Sequence, residues 1–176
     1  LIGANEGGVH AVLPVIGAFQ QQHPAIVVEV RRIPSRQMAQ EVMLRKVDFG
    51  VLTFNPSESE LSSILLGTDE LVLLVRPDHP LAGRGEITME EMGRQAVIAH
   101  NDPSPARERV LRLYEQRHAP LNIRMSLPSL DGIKRAVEMG LGVDLLPRRC
   151  AQGEIARGQL AEIRVPELRS PRQVRF

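Results

Sequence analysis

Gly3-Ala4-Asn5-Glu6-Gly7-Gly8-Val9-His10-Ala11-Val12-Leu13-Pro14 is the stretch on which the reading of the fold turns. Leu1-Ile2 is the end of a short apolar strand. Gly3 to Gly8 is a turn of glycine and small polar groups. From Val9 the apolar residues Val9, Val12, Leu13, Ile16 and Phe19 recur at helical spacing, which predicts a helix from Val9 to Gln22. A strand that runs through such a turn into a helix leaves N–H groups at the helix start without internal partners. Those groups can bind a small polar or anionic molecule. The plain alternative is an ordinary βα turn in which Asn5 caps the helix and the glycines only make the bend.

The same strand–turn–helix grammar repeats downstream. Ala25–Val30 is a β-branched run and reads as a strand. Ser35 is placed to cap a helix with Met38, Val42 and Met43 on one side. Val47–Leu52 is a short apolar strand ending at Thr53. The order βαβαβ predicts parallel strands, and in such sheets ligands bind beyond the strands' carboxyl ends. That edge carries Ala4 to Gly8, Ile33 to Arg36 and Thr53 to Asn55. A polar loop over 55–63 follows, then a weak strand at Ile64–Gly67 and a strong one at Glu70–Val75.

Thr88-Met89-Glu90-Glu91 is a capping-box sequence. Gln95–Ala99 is a strand. In Asn101-Asp102-Pro103-Ser104-Pro105, Ser104 is the N-cap and Pro105 the first residue of a helix with Ala106, Val110, Leu113 and Tyr114 on one side. Asn122–Leu127 is a strand, Ser129 or Asp131 opens the next helix, and Gly140 stops it. Gly142–Leu146 and Leu160–Val165 are strands, and Gln173–Phe176 opens another that can return to the first lobe.

Composition narrows the function. The 176 residues suffice for one large domain or two small lobes. With 43% hydrophobic and 24% charged residues the chain reads as soluble and globular. No run is long enough to span a membrane. A net charge of +1 gives no electrostatic footprint for nucleic acid, and 3% aromatic content gives no stacking platform. Cys150 is the single cysteine, which excludes an internal disulfide and suits a reducing compartment. Its neighbours Arg148 and Arg149 could lower its thiol pKa, though a structural thiol is the simpler reading. Nucleophile-elbow, P-loop, HExxH and CxxC motifs are absent. His10, His23, His79, His100 and His118 are scattered, so no metal site is expected. Arg31-Arg32 and Arg107-Glu108-Arg109 are most simply solvated faces, or else cleft-lining cations.

The motifs taken together resemble the effector-binding domain of LysR-type transcriptional regulators. The matching pieces are Ile2-Gly3 with Leu13-Pro14, Phe19 with His23-Pro24, and Val47-Asp48-Phe49-Gly50-Val51. Leu71–Val75 with Pro77-Asp78-His79-Pro80-Leu81 and Ile87–Met92 follow. Ala136-Val137-Glu138-Met139-Gly140-Leu141-Gly142-Val143-Asp144-Leu145-Leu146-Pro147 completes the set. The resemblance implies an α/β fold of two Rossmann-like lobes around a central cleft, the type 2 periplasmic-binding-protein fold. Lobe I would be 1–67 plus 168–176 and lobe II 68–167.

It also implies function. A small-molecule effector would bind between the lobes and bias their orientation, with crossovers near Gly67-Thr68 and Pro166–Arg169 as the hinge. By position, the ligand-binding residues would be Asn5, Glu6, Gly7, Gly8, Ser35 and Thr53, with His100, Asn101, Ser104 and Asp131 from lobe II. The family commonly has Ser or Thr in the first turn. Asn5-Glu6-Gly7-Gly8 replaces those hydroxyls, so Glu6 and Asp131 could meet a cationic or hydroxylated group instead. No enzymatic activity and no cofactor are implied.

The expected partners are a second copy or more of the chain, as a homodimer or homotetramer, and DNA only through an N-terminal winged helix-turn-helix domain outside these residues. The family's closing helix after Val174 is likewise outside them. The first helix would supply the self-association face through Ala11, Val15 and Ala18. The expected location is the cytoplasm. Two other classes share the architecture: a transporter's solute receptor, and an enzyme such as a deaminase-type tetrapyrrole synthase with a covalently attached cofactor.

Overall fold

The computed structural model describes residues 1–101, 103–169 and 172–176. The side chains of Ala106 and Arg172 lie outside that description, as does Asp102 of the turn before the Pro105 helix. The chain divides into two compact units. Unit 1 holds Leu1–Asp69 and the C-terminal strand, and unit 2 holds the described residues from Glu70 to Arg169.

In unit 1, β1 (Ile2–Ala4) lies between β2 (Val30–Arg32) and β3 (Phe49–Val51), and both pairings are parallel. The crossovers are α1 (Glu6–Gln22) and α2 (Met38–Met43). A second ribbon pairs β4 (Leu65–Asp69) antiparallel with β10 (Arg172–Arg175), and a bridge from Leu52 to Arg175 carries pairing on from the end of β3. The C-terminal strand therefore does return to the first unit. Val12 and Ala11 of α1 pack on Ile2, Ala4, Val51 and Val174. Under α2, Met38 is wedged against two glycines. A Cβ on Gly3 would lie 2.7 Å from its Sδ, and one on Gly50 2.7 Å from its Cγ.

Several expectations need correction here. The first helix begins at Glu6 rather than Val9, so Gly7 and Gly8 form its first turn instead of a loop. Asn5, with extended φ and ψ and a side-chain cap, makes that earlier start possible. Ala11 belongs to the core, while Leu13 and Phe19 are exposed. The helix thus buries its small residues Gly8 and Ala11 with Val12 and turns its larger side chains Leu13 and Phe19 outward. The strand expected over Ala25–Val30 forms only at Val30–Arg32, and Val27 is 90% exposed. β-Branching alone did not make a strand where β1 offers three residues to pair with. Met43 is exposed, leaving Met38 as the buried residue of α2.

Unit 2 is built on β5 (Leu71–Val75), flanked antiparallel by β8 (Asp144–Pro147) and β9 (Ala161–Ile163). β6 (Val97–His100) and β7 (Ile123–Leu127) pair in parallel, and a bridge from Val97 to Val143 joins them to the entry of β8. Alternation along β5 sends Val72 and Leu74 to one core and Leu73 and Val75 to another. The first core is covered by α5 (Leu130–Glu138). The second is covered by α3 (Met89–Gly93) and α4 (Pro105–Gln116). The capping box forms as read, with Thr88 and Glu91 exchanging bonds. The Tyr114 hydroxyl donates to the Met89 carbonyl at 2.5 Å, and burial pushes its pKa well above the usual phenol range.

α5 ends in a Schellman motif. Gly140 has φ +77, and the N–H groups of Gly140 and Leu141 donate to Val137 and Ala136. Cys150 is buried in the core against which α5 packs, in keeping with a structural thiol. A short helix, α6 (Gln152–Ala156), follows it without any cap signal in the sequence. Among the described residues no helix is long and apolar enough to cross a membrane.

Candidate functional site

The parallel strands of unit 1 bring three stretches to one edge. β1 ends at Ala4 and delivers Asn5, β2 ends at Arg32 and leads to Ser35, and β3 ends at Val51 and leads to Thr53. Asn5 is held at both ends of its amide. Its Oδ1 accepts from the Gly8 N–H at 2.7 Å, and its Nδ2 donates to the Ser35 Oγ at 2.7 Å. Ser35 is buried and does not cap α2, whose N-cap position is Gln37 with no side-chain bond. The expected cap is instead a prop for Asn5, because the chain makes a further turn over Pro34 to Gln37 before α2 begins.

Gly8 is needed where it stands. A Cβ there would lie 3.0 Å from the Asn5 Oδ1 and 3.2 Å from Val51 Cγ1, so its lack of a side chain lets α1 sit against β3. With Gly8 satisfied by the cap, Gly7 keeps an N–H of the kind a helix cannot satisfy by itself. Glu6 lies in the same turn, where a carboxylate complements the helix dipole. Thr53 is half-buried beyond the end of β3.

Unit 2 repeats the arrangement with β6 and β7. His100 ends β6 and is half-buried, and the Asn101 N–H donates to the Leu127 carbonyl at the end of β7. Ser104 caps α4 through the Arg107 N–H at 3.2 Å. Ser129, rather than Asp131, caps α5 through Gly132 N–H at 3.1 Å. Asp131 is 86% exposed and pairs with Lys134 at 3.0 Å. Lys134 is buried and also reaches the Glu154 carboxylate and the Cys150 carbonyl, locking α5 to α6. Burial pulls the Lys134 pKa down, but its two carboxylate partners outweigh that and hold it above its ordinary value. Asp131 is therefore engaged in an ion pair on the first turn of α5.

Arg107 belongs beside these residues. It stands in the first turn of α4, half-buried, and its Nε is buried with no hydrogen-bond partner among the described residues. Its place three residues after the N-cap Ser104 was the sequence signal that set it apart from the exposed Arg109. Chemically, each unit offers helix-start N–H groups beside small hydroxyl and amide side chains, and unit 2 adds a cation. That set is chemically suited to an oxygen-rich small molecule. Nothing in it forms a nucleophile–base pair.

The LysR substrate binding domain model matches residues 2–176. In sequence the chain is 31% identical over 156 residues to the uncharacterized HTH-type transcriptional regulator YeiE of Escherichia coli, covering 88% of this chain and 53% of that one. It thus spans about half the length of that relative. In fold it is similar to the CcmR regulatory domain of Synechocystis in complex with 2-PG, with a TM-score of 0.85 at 24% identity, covering 99% of this chain and 84% of that one. It is also similar to the BenM effector binding domain with its effector benzoate, with a TM-score of 0.77 at 18% identity, covering 99% and 81%. The two-lobed α/β architecture expected from the motifs is thus the fold these neighbours share, and the sequence relative is a regulator rather than a transport receptor. The chain belongs to the LysR substrate-binding domain family.

Proposed function

We propose that this chain is the sensing part of a bacterial transcriptional regulator and that its effector is a small carboxylate or similarly oxygen-rich metabolite. The observation that carries the reading is the Asn5 amide fixed between Gly8 and Ser35, which sets a helix start with an unspent Gly7 N–H at the edge of a parallel sheet. The residues proposed for effector recognition are Asn5, Glu6, Gly7, Gly8, Ser35 and Thr53 in the first unit, and His100, Asn101, Ser104 and Asp131 in the second. The Arg107 Nε, buried without a hydrogen-bond partner among the described residues, favours an anion over the cationic group that Glu6 and Asp131 alone would suggest. The benzoate of BenM is a small carboxylate of this kind.

The active species in this proposal is a homodimer or homotetramer in the cytoplasm. DNA is bound by a winged helix-turn-helix domain beyond this chain. Exposed Leu13, Val15 and Phe19 on α1, with Ile26 and Val27 before β2, supply the self-association face. A thermal-shift screen of small carboxylates, followed by calorimetry, tests the reading. An effector should raise the melting temperature of the parent chain and lose affinity in Arg107→Gln and Asn5→Ala. If its affinity is unchanged in both variants, these residues are not the site. Anisotropy with labelled operator DNA should show no sequence-dependent binding by these 176 residues alone.

A further inference from the structure

We propose that unit 2 carries a second small-molecule site, at the start of β6 and the end of α5, and that its ligand is a monocarboxylate with a compact apolar body. A pocket of about 320 Å³ lies there, a volume within the range of ligand sites. It is reached from the end of β5, where Arg76 to Pro80 turn over the C-terminus of α5. The effector groups proposed above sit at the other ends of the same elements, at His100 for β6 and Asp131 for α5. The proposal does not depend on that reading.

The donors are oriented by neighbouring groups of the same turn. Arg76 gives its Nε and Nη2 to the Asp78 carboxylate, the first at 2.7 Å. That leaves Nη1, which lies against Gly140. A Cβ on Gly140 would stand 2.7 Å from Nη1, so the bare glycine leaves room for the guanidinium against the helix end. His79 Nδ1 accepts from the Leu81 N–H at 3.2 Å, which puts the proton of the neutral ring on Nε2. Neither Nη1 nor Nε2 has an acceptor among the described residues, and both side chains line the pocket.

The charge balance then selects the ligand. Asp78 also lines the pocket and neutralises Arg76, so the site is not cationic enough to favour a dianion. A monocarboxylate has two oxygens for two N–H donors, and one of those donors is a guanidinium. Leu141 and Pro80 give the remaining wall an apolar character that suits a branched or cyclic hydrocarbon body.

The test is a titration of the ¹⁵N-labelled chain with isobutyrate and, separately, with isobutyramide, read by backbone amide shifts. Isobutyrate should move the amides of Ala96 and of Gly140 to Val143 and reach saturation. Isobutyramide should bind at least about tenfold more weakly, and Arg76→Gln should weaken isobutyrate at least about tenfold. Asn5→Ala and Thr53→Val should leave the same shifts unchanged. Where Arg76→Gln loosens the end of α5, His79→Ala keeps the Arg76–Asp78 pair and must still weaken binding. The proposal is overturned if isobutyrate moves only amides of Asn5 to Gly8 or His100 to Ser104. Absence of any pocket shift, equal binding of the amide, or equal binding by the folded Arg76→Gln chain would overturn it as well.

Discussion

Unit 2 closes its cores and unit 1 does not. In unit 2 the faces of β5 pack under α5 on one side and under α3 and α4 on the other, and its large exposed hydrophobics are Ile123, Met139 and Leu141. Unit 1 has ten such exposed residues among those described, against these three, although it is the smaller unit. They include Leu13, Val15 and Phe19 on α1 and Phe49 and Ile64 near the β10 ribbon. Grouped exposed apolar side chains of this kind are what interaction surfaces are made of. The difference teaches that unit 2 buries its large side chains within its own cores, whereas unit 1 leaves apolar side chains in reach of a partner, as the self-association proposed above requires.

The interior of unit 2 also holds a buried carboxyl group, and it gives the largest expected effect. Asp144 is 5% exposed on the first row of β8, opposite Leu74, and its Oδ2 has no hydrogen-bond partner among the described residues. Burial pushes its pKa up to about 8 from 3.8, and a bond from the Leu145 backbone offsets that only in part. Between these values the unfolded chain has released the proton and the folded chain still holds it. The folded state therefore binds more protons, and stability falls as pH rises. The contribution of Asp144 is fully present below about pH 4. The loss runs at about 1.4 kcal/mol per pH unit until it levels off above pH 8. Urea melts at pH 5, 6, 7 and 8 should show this slope in the parent chain. Asp144→Leu should remove it and be the more stable protein at pH 8. An identical pH profile in the two proteins would mean that Asp144 is ionised and solvated in the fold.

A second contrast concerns how rigid the close contacts are. A Cβ on Gly93 would lie 1.9 Å from the Pro120 carbonyl oxygen, a backbone atom with nowhere to go. At Gly50 the obstacle is the side chain of Met38, which has other rotamers. Gly93→Ala should cost about 3 kcal/mol, and Gly50→Ala about 1 kcal/mol. Equal losses in denaturant melts would show that the soft packing under α2 is as unyielding as that of unit 2.

The open face of unit 1 is sharpened by Val15→Glu. The substitution puts a charge amid Leu13, Val15 and Phe19 without touching Val12 or Ala11, the residues α1 buries. Sedimentation should show the dimer dissociation constant raised at least about tenfold, roughly 1.4 kcal/mol, with the melting curve of the monomer unchanged. A parent chain that stays monomeric at high concentration would show that the face has another partner.

These contrasts also explain what could be read in advance. The capping box at Thr88, the N-caps Asn5 and Ser104, and the αL stop at Gly140 were legible because each is a local bond between residues a few positions apart. The parallel order of β1, β2 and β3 followed from the alternation of strands and helices. What misled was the face of α1. Leu13 and Phe19 were assigned inward and Ala11 outward because an apolar stripe carries no label for which neighbour it meets. Ser35 was misassigned for a similar reason. Its bond to Asn5 spans 30 residues, and no local pattern announces it. Asp144 stood in the motif Gly142–Pro147, yet only its place opposite Leu74 reveals that it is buried.

The smallest effects separate what the first turn of α1 does for the fold from what it does for a ligand. Asn5 has both duties, since it caps α1 and holds Ser35. Asn5→Ala should therefore cost about 1 kcal/mol of stability in addition to any loss of effector affinity. Asn5→Ser keeps a capping oxygen but cannot reach Ser35 in the same way, so it should recover most of the stability and little of the affinity. Thr53 has no bond within the described residues, and it is half-buried at the same sheet edge. Thr53→Val keeps the shape of the side chain and removes only the hydroxyl. Its melting curve should match the parent's, while calorimetry with an effector should show affinity lower by roughly 0.5–1.5 kcal/mol, the worth of one uncharged hydrogen bond. Unchanged affinity in Thr53→Val, with a loss in Asn5→Ala no larger than its loss of stability, would mean that this edge of unit 1 supports the fold and that the effector is held elsewhere.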